Sequence, residues 1–331
     1  MDVVALTRRL VDIESVTGRE GPAGQFLLQF LRDEGWDASP IPVDQQRLNV
    51  FARPKTASPA VVFCTHMDTV PPFFGSSEDA DNVYGRGACD AKGIMAAQMT
   101  AAGRLRDQGA AVGLLFTVGE ERDSIGAKTA NQYAPGSRFL IDGEPTDNRL
   151  AIATKGVLNV RLRARGKMAH SAYPEGGESA IEKLVDALAR LRAMELPSVP
   201  EIGACTMNIG TISGGRAPNV VADEAHADIL YRMVTASDDL KQRIRQWVGS
   251  LVEVDFGADS PFMKLRTVDG VPSMVASFST DIPHLRNWGE PLLLGPGSIH
   301  VAHTERESVP KKALHEAVEL YCSVAQKLLQ S

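Results

Sequence analysis

His66, Asp90, Glu121, Glu144 and His303 offer two imidazoles and three carboxylates, donors that suit zinc, in the number a pair of ions needs when one carboxylate is shared. With Asp90 as the shared ligand, His66 and Glu144 would complete one ion, and Glu121 and His303 the other. Two Zn²⁺ ions against three carboxylates and one hydroxide sum to zero charge, so such a site can be buried without a large charging cost. Glu120 is adjacent to Glu121 and must diverge from it, which leaves it free to accept a proton from water. The chemistry of such a set is amide hydrolysis. His66 and Asp68 are two apart on an extended segment and so point to one side, where Asp68 can hold the His66 ring. Rival donors stand close by: Asp142 two residues before Glu144, and His300 three before His303.

Each of these residues needs an element to position it. His66 and Asp68 end the apolar run VVFCTHMD, Asp90 lies in GRGACDAKG, Glu120 and Glu121 follow VGLLFTVG, and Glu144 follows FLIDG. Ligands gather at such strand ends in an open α/β sheet, so their separation in sequence is no obstacle. Strands are predicted at Asn49–Arg53, Ala60–Thr65, Gly113–Thr117, Phe139–Ile141 and Leu150–Ala153. Helices are predicted at Val3–Ile13, Gln25–Glu34, Gly93–Asp107 and Ile125–Tyr133. Gly85, Gly87 and Gly93 let the backbone crowd the Asp90 loop.

The pattern changes at Lys155. Leu158, Val160, Leu162 and Ala164 alternate with Asn159, Arg161, Arg163 and Arg165, the signature of a sheet with one wet face. A helix at Ser179–Met194, strands at Ala204–Ile212 and Glu224–Met233, a helix capped by Ser237 and the strand VEVDF complete a βαββαβ unit. From about Phe262 short apolar strands (SMVASF, PLLLG) return, and a helix at Pro310–Leu329 ends the chain. The expected fold is therefore α/β: a discontinuous catalytic domain (1–154 and 259–331) with an inserted lid and dimerisation domain (155–258).

Composition narrows the function. A net charge of −6 provides no basic field for nucleic acid, and no apolar stretch approaches a membrane span. The N-terminal run MDVVALTRRLVDIE reads as an amphipathic helix, not a signal peptide. Four scattered cysteines form no CxxC pair, and a cytoplasmic location is expected.

The segments THMDTVP (65–71), GRGACDAKG (85–93), GEERDSIGA (119–127), DGEPT (142–146), KGVLNVRLRARGKMAHSAYPEGGESA (155–180), GRAPNVV (215–221), ILYR (229–232), FSTD (278–281) and GPGSIHVAHTERE (295–307) run in order along most of the chain. Together they resemble the zinc metallopeptidases and deacylases that include acetylornithine deacetylase, succinyl-diaminopimelate desuccinylase, aminoacylases and glutamate carboxypeptidases. The resemblance implies two zinc ions, with cobalt as a possible substitute, and Glu120 as the base. It selects Glu144 over Asp142 through GEPT, and His303 over His300 through the AH-xxx-E pattern. It also implies that His170 of the lid steadies the oxyanion in a partner subunit's site, that Asn219 and Arg232 hold a substrate carboxylate, and that the protein is a homodimer. Gly119 and Glu178 depart from the pattern, where many relatives carry Asp and Asn. The expected substrate is an N-acyl amino acid, N-acetylornithine or a close relative such as N-acetylcitrulline or an N-acyl-lysine. A dipeptidase, an aminopeptidase and a succinyl-diaminopimelate desuccinylase are the rivals among enzymes. An inactive metal-binding assembly protein is the rival outside them, and the presence of Glu120 speaks against it.

Overall fold

The computed structural model describes residues 2–55 and 57–331. The chain divides into two compact units, one of residues 1–152, 265–274 and 280–331, the other of residues 153–264 and 275–279.

The first unit is built on a six-stranded sheet in the order Asp37–Pro42, Leu48–Arg53, Val112–Thr117, Val61–His66, Phe139–Asp142, Glu290–Leu293. The last four strands are parallel to one another, and the first two are antiparallel additions at one edge. Val61–His66 and Val112–Thr117 are buried at every position, as parallel strands covered on both faces must be. Alternation sorts their side chains. Val61, Phe63, Leu114 and Phe116 pack with Leu27, Met95, Ala102 and Tyr321 from the helices Gly21–Asp33, Lys92–Asp107 and Lys311–Gln330. Val62, Cys64, Leu115 and Leu140 pack instead with Ala127, Ala130 and Trp288.

Asp37–Pro42, outside the predicted strands, is a strand although DASPIP carries two prolines. It lies at the sheet edge, where a missing N–H costs little. The helix expected at Gln25 begins at Gly21, with Pro22 in its first turn, where proline's fixed φ suits a helix start. The helix expected at Ile125–Tyr133 stays α-helical only to Ala130 and tightens into a 3₁₀ turn over Asn131–Tyr133.

In the second unit the four-stranded antiparallel sheet has the order Thr206–Gly214, Glu224–Met233, Gly156–Arg165, Glu253–Ser260. Leu158, Val160, Leu162, Ala227, Ile229 and Tyr231 form its buried face, which the helix Ala180–Ala193 covers through Leu184, Leu188 and Leu191. On the wet face Arg161 pairs with Asp228, Arg163 with Asp255 and Arg165 with Glu253. Ser237 does not cap the second helix as expected. It is that helix's first residue, after Ala236, and its hydroxyl donates to Asp259.

Candidate active site

Three neighbouring parallel strands end on the same side of the sheet. His66 is the last residue of Val61–His66, Glu120 and Glu121 lie three and four residues beyond Thr117, and Glu144 lies two beyond Asp142. Asp90 comes from the loop before the helix Lys92–Asp107, and His303 from the loop before Ser308–Pro310, with a left-handed backbone (φ 63°). Gly87 (φ +88°) belongs to the Asp90 loop, and a Cβ there would fall 2.9 Å from Thr69 and 3.0 Å from Lys92.

Two donor groups result, sharing Asp90. His66, Asp90 and Glu144 bring one ligand atom each within 4.8 Å of one another, and so do Asp90, Glu121 and His303. Asp90 Oδ1 is 2.9 Å from His66 Nε2, while its other oxygen is 3.3 Å from His303 Nε2. His303 Nε2 also lies 2.9 Å from Glu121 Oε1, and His66 Nε2 lies 3.9 Å from Glu144 Oε1. Neither His300 nor Asp142 joins a donor group among the described residues.

The electrostatics fit a cation pair. Burial pushes Glu144 well above the ordinary carboxylate range, reinforced by Asp90 and Glu120. Burial does the same to Glu120, with Asp281, Glu121 and Asp90 adding to it and His66 opposing. His303 is pushed up to about 10 by hydrogen bonds to Asp90 and Glu121. Burial would lower His66, but contacts with Asp68 and Asp90 raise it instead. Crowded acids and imidazoles held as imidazolium are what a deprotonated ligand set does when only its own groups can balance the charge, and divalent cations would relieve it.

Asp68 does more than the sequence suggested. The nearest acceptor to His66 Nδ1 is the carbonyl oxygen of Asp68, at 3.0 Å, and the carboxylate is 3.5 Å away. The two carboxylate oxygens accept the backbone N–H groups of Glu120 (3.0 Å) and Glu121 (3.2 Å), and Thr17 Oγ1 donates at 2.8 Å. Asp68 thus anchors both the His66 ring and the turn carrying the paired glutamates.

Two buried acids stand behind the site: Asp142, a rival donor in the sequence, and Asp281, to which the sequence assigned no role. Asp281, which ends FSTD, accepts from Thr117 Oγ1 at 2.9 Å, and among the described residues its Oδ1 has no partner; nor has Asp142 Oδ2. Burial, then their mutual repulsion, raises Asp142 to about 8. Burial raises Asp281 to about 6, opposed by the Ser124 and Thr117 hydroxyls. The one signal available was the acid of FSTD itself, since nothing local says it is buried.

In the second unit His170 bridges Val220, the Ser171 N–H donates to the Asn219 carbonyl, and the Val221 N–H to that of Ala169. This short ribbon presents His170 and Asn219 together, both exposed. His170 Nδ1 accepts the Ala172 N–H at 3.1 Å, so a neutral ring carries its proton on Nε2. Arg232 is half-buried, with no acidic partner among the described residues, and burial alone pulls its pKa down. It sits eight residues along the strand from Glu224, the end at which the ribbon begins. At roughly 3.4 Å per residue that is about 27 Å.

Known proteins share this organisation. The peptidase dimerisation domain matches residues 152–255. A probable carboxypeptidase of Aspergillus terreus is 39% identical over 95% of this chain and 83% of its own length. A peptidase M20 domain-containing protein of Schizosaccharomyces pombe is 35% identical over 97% of this chain and 83% of its own. The crystal structure of a Staphylococcus aureus tripeptidase superposes with a TM-score of 0.81 over 98% of both chains at 23% identity, a likeness of fold. With sequence relatives that span nearly its whole length and an α/β fold into which a dimerisation domain is inserted, the chain belongs to the M20 peptidase family of metal-dependent amide hydrolases.

Proposed function

We propose that the enzyme cleaves the amide bond between an acyl group and the nitrogen of an amino acid whose α-carboxylate is free. A C-terminal peptide bond and the bond in N-acetylornithine both answer that description. The peptidase names of the relatives favour the former, and N-acetylornithine is retained as a test substrate. The observation that carries the reading is Arg232: a half-buried guanidinium without an acidic partner among the described residues is an anion site in waiting.

His66, Asp90 and Glu144 would hold one divalent cation, and Asp90, Glu121 and His303 a second; the imidazole and carboxylate donors suit zinc, with cobalt able to replace it. When bound, such a pair makes a water acidic near neutral pH and polarises a carbonyl oxygen. Glu120 takes the proton of the attacking water and later delivers it to the leaving amine, and its raised affinity for protons suits both steps. Asp68 keeps Glu120 aimed by holding its backbone N–H. His170 donates its Nε2–H to the developing oxyanion. Asn219 and Arg232 complete recognition of the substrate.

These lid residues support a dimer. Arg232 stands eight residues, about 27 Å, along its strand from Glu224, the end at which the ribbon carrying His170 and Asn219 begins, so the three are not gathered on one stretch of the lid. Two lids, one from each subunit, can supply them. Ile181 and Val185 on one helix face and Ile212 on the edge strand are exposed apolar side chains suited to a subunit contact.

The deciding experiment is a substrate panel with zinc- or cobalt-loaded enzyme: N-acetylornithine, N-acetylcitrulline, succinyl-diaminopimelate, N-blocked dipeptides, free dipeptides and C-terminally amidated dipeptides. Cleavage is expected wherever the carboxylate is free, and Arg232→Ala should lower kcat/KM roughly 30-fold or more on those substrates. If amidated dipeptides with a free amine are the preferred substrates, the enzyme reads the N-terminus and the proposal fails.

A further inference from the structure

The segment carrying His303 closes on Glu307, a carboxylate without solvent exposure. Its Oε1 accepts the backbone N–H groups of Gly87 (2.9 Å), Cys89 (3.2 Å) and Asp90 (3.0 Å), so the loop leading into Asp90 wraps one oxygen. Its Oε2 pairs with Arg86, itself 2% exposed, whose Nε donates to the Pro72 carbonyl and whose guanidinium lies 5.0 Å from the Phe74 ring centre. The Glu307 carbonyl accepts the Gly85 N–H, and the next three residues pair with Asn82–Tyr84. Main chain and side chain therefore grip the same loop.

We infer that Glu307 is a positioning residue that sets the distance between Asp90 and His303, and through Asp90 the spacing of the two donor groups. This rests on the proposed ligand assignment. Three N–H groups converging on one oxygen leave the loop a single low-energy position, because any shift of Asp90 strands a buried donor. His303 is four residues before Glu307, so the same anchor holds the end of the loop from which its imidazole departs. Arg86 neutralises Glu307, which keeps the extra buried carboxylate from adding to the negative charge around Asp90. The anchor acts on ligand geometry and touches neither substrate nor reacting atoms.

Two variants test it. Glu307→Gln keeps one acceptor oxygen but sets an amide N–H₂ against Arg86, and Glu307→Leu removes every acceptor. Co²⁺ affinity, measured by competition with a chelating dye, and the visible absorption of the Co²⁺ protein are read alongside thermal unfolding and kinetics. We expect weaker Co²⁺ binding, by about three- to tenfold for Gln and about 100-fold for Leu, as loss of positioning groups around a metal site typically gives. An altered Co²⁺ spectrum, unchanged KM and a kcat partly restored by excess metal should accompany it. Wild-type Co²⁺ affinity and spectrum in Glu307→Gln, whatever its thermal midpoint, would overturn the inference, and that variant carries the test if Leu fails to fold. Asp90→Asn serves as the reference: if it too retains both ions, the ligand assignment is what fails, and if it loses them while Glu307→Gln does not, only the anchor is wrong.

Discussion

Glu120 and Glu121 are chemically identical, and their surroundings divide their tasks. Glu121 Oε1 meets His303 Nε2 at 2.9 Å, whereas the Glu120 side chain has no hydrogen-bond partner among the described residues and is pushed towards its protonated form by burial and by Asp281, Glu121 and Asp90. Glu120→Gln should bind as many zinc ions as the wild type, measured by metal analysis, yet lose several orders of magnitude in turnover. Glu121→Ala should retain one ion. The opposite pattern of occupancy would exchange the two roles. Asp281 offers a second test. Its folded pKa lies above the ordinary value of 3.8, at about 6, so the stability it contributes is present below pH 4 and is lost as pH rises through 6. In metal-free protein the melting temperature of Asp281→Asn relative to wild type should therefore climb by a few degrees between pH 4 and pH 7. A difference independent of pH would mean that Asp281 titrates as an ordinary surface acid.

At the scale of elements, the strand ends and the helix Lys92–Asp107 hold the proposed ligands by close packing. Gly143 shows how little room there is, for a Cβ at that position would lie 2.5 Å from both Gln98 Nε2 and Ile94 Cγ2, two side chains of this helix. Gln98 is itself fixed by donating to the Cys64 carbonyl, two residues before His66. Gly143→Ala must move the helix or the strand end carrying Glu144. It should cost on the order of 2–3 kcal/mol in chemical denaturation and weaken metal binding as well. A loss of stability with unaltered Zn²⁺ affinity would show that Glu144 is positioned from elsewhere.

For the whole molecule, the acids gathered around Asp90 make the metal-free protein a strained electrostatic arrangement. Chelation at pH 8 should lower its melting temperature, and added Zn²⁺ should restore it, by an amount that follows mass action: about 4 kcal/mol at a free concentration a thousand times the Kd. A melting temperature indifferent to chelator would argue against both donor groups as metal sites. The dimer is tested by complementation. His170→Ala and Glu120→Ala proteins, each inactive, should regain part of the activity when refolded together, because one hybrid site then receives an intact base and an intact lid histidine. Hybrid dimers without activity would place His170 in its own subunit's chemistry.

Much of this could be read from the chain itself. Alternation and uninterrupted apolar runs are local consequences of backbone period, so they marked the strands Val61–His66 and Val112–Thr117, the wet-faced strand Gly156–Arg165 and the turns that follow them. Donor chemistry and strand-end placement then brought forward His66, Asp90, Glu120 and Glu121, while the choice of Glu144 over Asp142 and of His303 over His300 came from the family resemblance. Local signals failed where a neighbour overrode them: the prolines of Asp37–Pro42 are tolerated only because that strand is an edge. What tertiary structure alone decided are the partners that arrive from far along the chain. Glu307 meets Arg86 across 221 residues, Asp281 meets Thr117 across 164, and the Asp68 carboxylate reaches the backbone of Glu120 across 52. Sequence period carries no information about such pairs, because a buried carboxylate chooses its donors by where the packed elements leave it, and that is settled only when the whole core has formed.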